Sequence, residues 1–384
     1  MGNRILRTKL CDLLEIEYPI ILAGMGEVAR ASLVAAVSNA GGLGVIGGFG
    51  MSPDTLREEI RQVRRLTNKP FGVDLILPIN LPEARASSSV PQPQDQPIVR
   101  AELPADQVDF VKKLKSELGL RERIKGQGES GRGISWRNIA FDVIKKNIDV
   151  ILEERVPVFA SGLGNPGFMV PDAHAVGMKV LAVVGNVKNA RRVADAGVDV
   201  VVAQGYDAGG HTGRIGTLAL IPQVVDAVFP TLVAAAGGIA DGRGLAAALA
   251  LGAFGVWIGT AFIPTLESAA PEEHKRRILE MTEEDTRVSK SFSGKPMRVL
   301  TNAWVEAWDR GPVPPLPMPY QGMLPGLTGI LLATEDGKDL SAMPTGQIGG
   351  LIKQIKPAGQ VVQEMVEGAI KVLRENLRSE VEIG

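Results

Sequence analysis

A (β/α)8 barrel, the TIM-barrel architecture, is the fold that this 384-residue sequence predicts, and three observations carry the prediction. Short apolar runs alternate with stretches of helical periodicity along most of the chain. Eight such runs occur, and several are apolar throughout and rich in Val, Ile and Ala, as strands covered on both faces should be. Alternating strand and helix units imply a parallel sheet with right-handed crossovers, and eight of them close into a barrel in about 250 residues. The remaining length forms a long insertion after the third strand and a C-terminal helical cap. A doubly wound open sheet is the competing architecture.

Residues 18–24 (YPIILAG) read as the first buried strand, and 30–39 as a helix that ends before Gly41 and Gly42. LGVIGG (43–48) is the second strand. Ser52, Pro53 and Asp54 then open a helix running to residue 67, with proline at an early position where its missing N–H is tolerated. FGVDLIL (71–77) is the third strand. The rhythm breaks over residues 78–137, which hold SSSVPQPQDQP, a basic helical piece (VKKLKSEL) and GQGESGRG. This is too long for an ordinary strand-to-helix loop, so it reads as an insertion, partly helical and partly mobile. A helix at 136–154 resumes the pattern, followed by strands at 156–162, 179–185, 198–205, 231–238 and 255–262. Helices are expected between them at 165–176, 189–196, 217–228 and 242–251. The barrel thus comprises residues 1–77 and 138–262. Residues 263–384 contain a charged helix (PEEHKRRILEMTEED), a proline-rich run (GPVPPLPMPYQGMLPG) and a last helical stretch at 347–376. With the insertion, these pieces are expected to cap the barrel mouth.

Composition excludes several function classes. Lys and Arg number 42 against 43 Asp and Glu, a formal charge of −1, which gives no long-range pull toward nucleic acid or an anionic membrane. The single cysteine, Cys11, cannot form an intrachain disulfide, and no Cys/His cluster offers a zinc site, so no metal is expected. The first 20 residues lack the apolar core of a signal peptide, and no apolar run is long and glycine-poor enough to span a bilayer. A soluble, cytoplasmic protein is the expectation. The proline-rich run could pack on a twin subunit, giving a homodimer, as readily as on its own barrel.

Chemistry in such a barrel comes from the C-terminal ends of strands and the loops after them. Glycine, 45 of 384 residues against a usual roughly 7%, concentrates at those positions. AAGGIADG (235–242) and IGTAF (258–262) end the seventh and eighth strands, where barrels commonly bind phosphate. Glycine there lets backbone N–H groups approach a dianion, and a following helix N-terminus adds its dipole. Two such turns on neighbouring strands favour phosphate binding over the plainer reading that each only ends a strand tightly. AQGYDAGGHTG (203–213), at the end of the sixth strand, places Gln204 and then His211 among glycines. His274 lies in a charged helical stretch and reads as a surface residue; His174 reads as a partly buried helix residue. His211 alone sits at the barrel mouth, where an imidazole can act as general base or as hydrogen-bond donor to an anion. No G-x-S-x-G elbow or Walker A motif is present. G-x-G-x-x-G spacing occurs at 42–47, within a strand, and at 162–167, where the next strand ends without the acidic residue a ribose would need; a Rossmann site is set aside. The residues alone support a barrel binding a phosphorylated ligand with His211 beside it.

The combination of PIILAGMG near the start, AQGYDAGGHTG, AAGGIADG and WIGTAF resembles the FMN-dependent nitronate monooxygenase family, formerly the 2-nitropropane dioxygenases. The same motifs are shared with flavin-dependent enoyl-acyl-carrier-protein reductases. The resemblance covers residues 17–77 and 156–262 and returns at GQIGGLI from Gly346. It implies FMN as cofactor, with Ala23, Gly24 and Met25 against the isoalloxazine ring. Asp74 takes a position where many relatives carry an Asn that contacts the flavin. Gln204, Gly209 and the adjoining Gly210 would meet the flavin or its ribityl chain. Gly237, Gly238, Gly259 and Thr260 would hold the phosphate, and Trp257 replaces a Gln often found two residues before that Gly-Thr. His211 matches the active-site histidine. The implied reaction is oxidation of an alkyl nitronate, or of a nitroalkane after removal of its α-proton, by O2 to a carbonyl compound and nitrite. GLGNPG (162–167) resembles the reductase branch, whereas GKPMRVLTNAWVEAW (294–308) and MPYQGMLPG resemble the nitronate monooxygenases, which are preferred. A flavin-free barrel binding a phosphorylated metabolite is the reading from a different class.

Overall fold

In the computed structural model, residues 6–77, 103–122 and 141–376 are described. Eight strands, β1 (Ile20–Leu22), β2 (Gly44–Gly47), β3 (Phe71–Ile76), β4 (Val158–Leu163), β5 (Lys179–Val184), β6 (Val200–Gln204), β7 (Leu232–Ala236) and β8 (Gly255–Ile258), form one parallel sheet. They pair in sequence order from β2 to β8, and β8 pairs with β1. The ring closes between β1 and β2: Leu22 N–H donates to the Leu43 carbonyl and Leu43 N–H to the Ile20 carbonyl, each at 2.9 Å. A closed (β/α)8 barrel is the result, and the open-sheet alternative is excluded.

Strand alternation explains the two-sided burial. Ile21, Val45, Val158, Leu181, Val200 and Val202 fill the barrel interior, whereas their neighbours Ile20, Ile46, Phe159, Val180 and Val201 meet the surrounding helices. A short helix, Lys9–Leu14, plugs the interior from the N-terminal side with Leu10, Cys11 and Leu14. Leu10→Ala is expected to cost about 2–5 kcal/mol through the cavity it leaves, read as a lower urea midpoint at unchanged m.

Helices lie close to where periodicity places them. Pro53–Leu66 starts at Ser52, whose hydroxyl accepts from Thr55 N–H, and Thr217–Val228 has the predicted limits. The helix expected at 165–176 is broken into a 3-10 turn, Pro166–Phe168, and Val170–Ala175, because Pro171 follows so closely on Pro166. The stretch expected as one helix at 347–376 also divides, into a 3-10 turn at Gln347–Leu351, the helix Ala358–Lys371 and a π turn to Asn376, with Pro357 at the break. That helix packs against Gly242–Ala250 and Ala31–Asn39, so it completes the ring of helices around the barrel. The approach is close: a Cβ on Gly242 would lie 2.2 Å from Ala369 N.

The cap draws on two distant parts of the sequence. From the insertion come the helix Ala105–Leu118 and a strand, Leu120–Glu122, that periodicity did not signal. The stretch 86–98, the most proline-rich part of the insertion, and residues 136–140 of the expected helix lie outside the described residues. The C-terminal part contributes helices Glu272–Glu280, Ala303–Arg310 and Tyr320–Leu327. It also contributes strands Thr286–Ser289, Met297–Leu300 and Ile330–Thr334, so the cap is not purely helical. Ile330–Thr334 pairs with Leu120–Glu122, and Phe110, Trp304 and Trp308 share one apolar core, with the Phe110 and Trp308 rings edge-to-face at 4.9 Å. Among the described residues, no helix is long and apolar enough to cross a membrane.

Candidate active site

A cavity of about 700 Å³ lies between the C-terminal ends of the strands and the cap, and every candidate residue read from the sequence lines it. Ala23, Gly24 and Met25 follow β1; Ala23 N–H donates to the Ile258 carbonyl at 2.7 Å, which ties this turn to the end of β8. Trp257 points into the barrel interior and floors the cavity beside Ala23. Asp74, on β3, is buried, and its Oδ1 accepts from Gly162 N–H at 2.6 Å. Burial raises its carboxyl well above the ordinary carboxylate range, opposed only by that backbone bond.

His211 is held by the barrel and the cap together. The loop after β6 passes through Gly209 and through Gly210, at φ +75°, into a two-residue strand, Gly210–His211, that pairs antiparallel with Met297–Leu300. Gln204 Nε2 donates to the His211 carbonyl at 2.5 Å, and His211 Nε2 lies 2.8 Å from Ser293 Oγ. Burial, and then the positive charge of Lys295, lower the His211 imidazole to about 4, so the ring is neutral near pH 7.

At the ends of β7 and β8, Gly237 and Gly238 adopt φ +93° and +70°. No described residue accepts from the N–H groups of Gly237, Gly238 or Gly259. A Cβ on Gly259 would make ordinary contacts with Met25 Sδ and Ala23 Cβ, at 3.5 and 3.6 Å. Thr260 Oγ1 accepts from Gly346 N–H at 2.9 Å, which leaves its own hydrogen free to donate. All four residues line the cavity, and unpartnered N–H and O–H donors of this kind are groups that a phosphate could use. Asp207 lies nearby and would oppose an anion, but its carboxylate accepts from Thr217 N–H at 2.8 Å, at the N-terminus of Thr217–Val228, which offsets part of its charge.

Two histidine readings are corrected. His274, expected on the surface, is 3% exposed, lines the cavity and sits 2.9 Å from Thr345 Oγ1. Its helix turns Arg276 and Glu280 to solvent while His274, Ile278 and the following Met281 face inward, a spacing visible in the sequence. His174, expected to be partly buried, is exposed and bonds Asp199 Oδ2 at 2.9 Å. Burial lowers His274 to about 4 as well. Unfolded, both His211 and His274 take up a proton near 6.5; folded, only near 4. The unfolded state therefore binds more protons between these values, so stability should fall as pH drops from 6.5 toward 4. Urea midpoints across that window check this; a flat profile contradicts it.

Sequence reasoning missed Ser293 and Lys295, because only an antiparallel pairing across more than 80 residues brings them to His211. Comparison with known proteins then decides the lineage. The sequence profile described as nitronate monooxygenase matches residues 7–368. The chain belongs to the nitronate monooxygenase family. A Mycobacterium tuberculosis protein bearing the name of a monooxygenase is 39% identical, over 94% of this chain and 96% of its own. Nitroalkane oxidase from Streptomyces ansochromogenes has a similar structure, with a TM-score of 0.76 at 30% identity over 95% of this chain and 98% of that one. FabK from Thermotoga maritima gives a TM-score of 0.72 at 32% identity, over 98% and 100%. Like other nitronate monooxygenase family members, the protein is a flavin-dependent oxidoreductase, so the flavin-free reading is set aside.

Proposed function

We propose that this protein uses FMN and O2 to oxidise alkyl nitronates to a carbonyl compound and nitrite. FMN, when bound, supplies the electron-accepting, oxygen-reactive centre. Gly237, Gly238, Gly259 and Thr260 would hold its phosphate, Gln204, Gly209 and Gly210 its ribityl side, and Ala23, Gly24, Met25, Asp74 and Trp257 its ring end. The observation that carries the substrate class is the neutral His211 imidazole, 2.8 Å from Ser293 Oγ and beside the charge of Lys295. The Ser293 hydroxyl has one hydrogen and two acceptors in reach, His211 Nε2 at 2.8 Å and the Lys295 carbonyl at 3.3 Å; the reading takes the tautomer in which it donates to Nε2. Nδ1 then carries the ring proton and can donate to the oxygen of an anionic nitronate. A base that protonates only near 4 is poorly matched to removing an α-proton at neutral pH, which favours the preformed nitronate over the neutral nitroalkane. Aerobic incubation with an alkyl nitronate should consume O2 and release nitrite; the absence of nitrite would remove the proposal.

A second reading rests on the likeness to FabK and on GLGNPG in the loop after β4. The protein would then be an NAD(P)H-dependent enoyl-acyl-carrier-protein reductase, and His211 Nδ1–H would assist at the thioester carbonyl. NADH oxidation that depends on an enoyl thioester distinguishes it.

A further inference from the structure

Asp74 is a buried acid in the cavity wall. The Asp74 carboxyl is wedged between two glycines: a Cβ on Gly24 would lie 2.1 Å from Asp74 Cβ, and one on Gly162 would lie 2.8 Å from Oδ2. Oδ1 accepts from Gly162 N–H, and no described residue donates to Oδ2, while the side chain lines the cavity. The elements packed against it are the turn after β1 at Gly24, the end of β2 at Gly47 and Gly48, and β4 at Ala160 and Gly162. Of these, the turn after β1 carries one titratable side chain that lines the cavity, Glu27, an acid that brings no cation to Asp74; Asp207, His211, His274 and Asp339 stand on other elements. An ionised carboxylate with one donor and no cation, taken out of water, is strongly disfavoured, and such a group stays protonated instead.

We propose that Asp74 is a neutral carboxylic acid that donates its Oδ2 hydrogen to the flavin ring, binding the ring without placing a charge beside it. This rests on the reading that the ring of FMN lies by Ala23–Met25. Burial pushes the carboxyl in the direction this requires. Asn at this position supplies an N–H donor of the same shape, without a proton to lose. Once rising pH ionises the acid, its negative charge opposes the added electron density of reduced flavin.

The infrared carbonyl band of a protonated carboxyl should be present in the flavin-free wild type at neutral pH and absent from Asp74→Asn. With FMN bound, the two proteins should have equal midpoint potentials at neutral pH. At alkaline pH the wild type should fall below the variant. A missing carboxyl band, or an Asp74→Asn potential already higher at neutral pH, would show an ionised Asp74 and overturn the proposal. If the variant does not accumulate, the wild-type band and its loss with rising pH carry the same decision. A wild type that shows the band but takes up no FMN would overturn the flavin reading, and the donor role with it, which is a different failure from an ionised acid.

Discussion

Replacing His211 with alanine is expected to leave FMN bound and to lower nitronate turnover by about 10²–10³, the range for losing one preorganised donor. The barrel residues proposed to hold the cofactor do not depend on the imidazole: His211 reaches the cavity from a two-residue strand shared with the cap. What the variant loses is a ring kept neutral by burial and by Lys295 and fixed by Ser293 Oγ at 2.8 Å. Steady-state O2 uptake with an alkyl nitronate, at matched flavin content, measures the effect. Unchanged turnover would take His211 out of the mechanism. Loss of flavin would show that the residue is structural.

Gly238→Val is expected to abolish stable FMN binding while the barrel remains folded. At φ +70° a β-branched residue is strained, and the loop would have to move the N–H groups of Gly237 and Gly238 away from the phosphate. The Cβ itself would meet only Asp207, at 3.5 Å, so the effect comes from backbone conformation and from filling the open cradle. Flavin content after soaking with FMN, with circular dichroism to confirm the fold, checks this. Full retention of flavin would place the phosphate elsewhere.

The barrel was legible because each buried strand is a short apolar run bounded by glycine or proline, a pattern set by local burial on both faces. The candidate cavity wall was legible for a related reason: Gly237, Gly238 and Gly259 end their strands in turns that line the cavity, and glycine at strand ends is visible in the sequence. Contributions from the cap were not. Ser293 and Lys295 reach His211 through a strand pairing between residues far apart in the chain, and nothing local encodes that register. His274 was misplaced because charges on one face of its helix masked the inward stripe of His274, Ile278 and Met281. The strand Leu120–Glu122 escaped because three residues are too few to show a period, and its partner, Ile330–Thr334, lies in the C-terminal part of the cap.

The most direct test is anaerobic. The FMN-loaded protein is mixed with an alkyl nitronate in one sample and with NADH in another, and the visible flavin band is followed in each. Bleaching by nitronate, with NADH leaving the band intact, is the result expected of a nitronate-oxidising site built around a neutral His211. Rapid bleaching by NADH with no response to nitronate would contradict it and move the protein to the enoyl reductases.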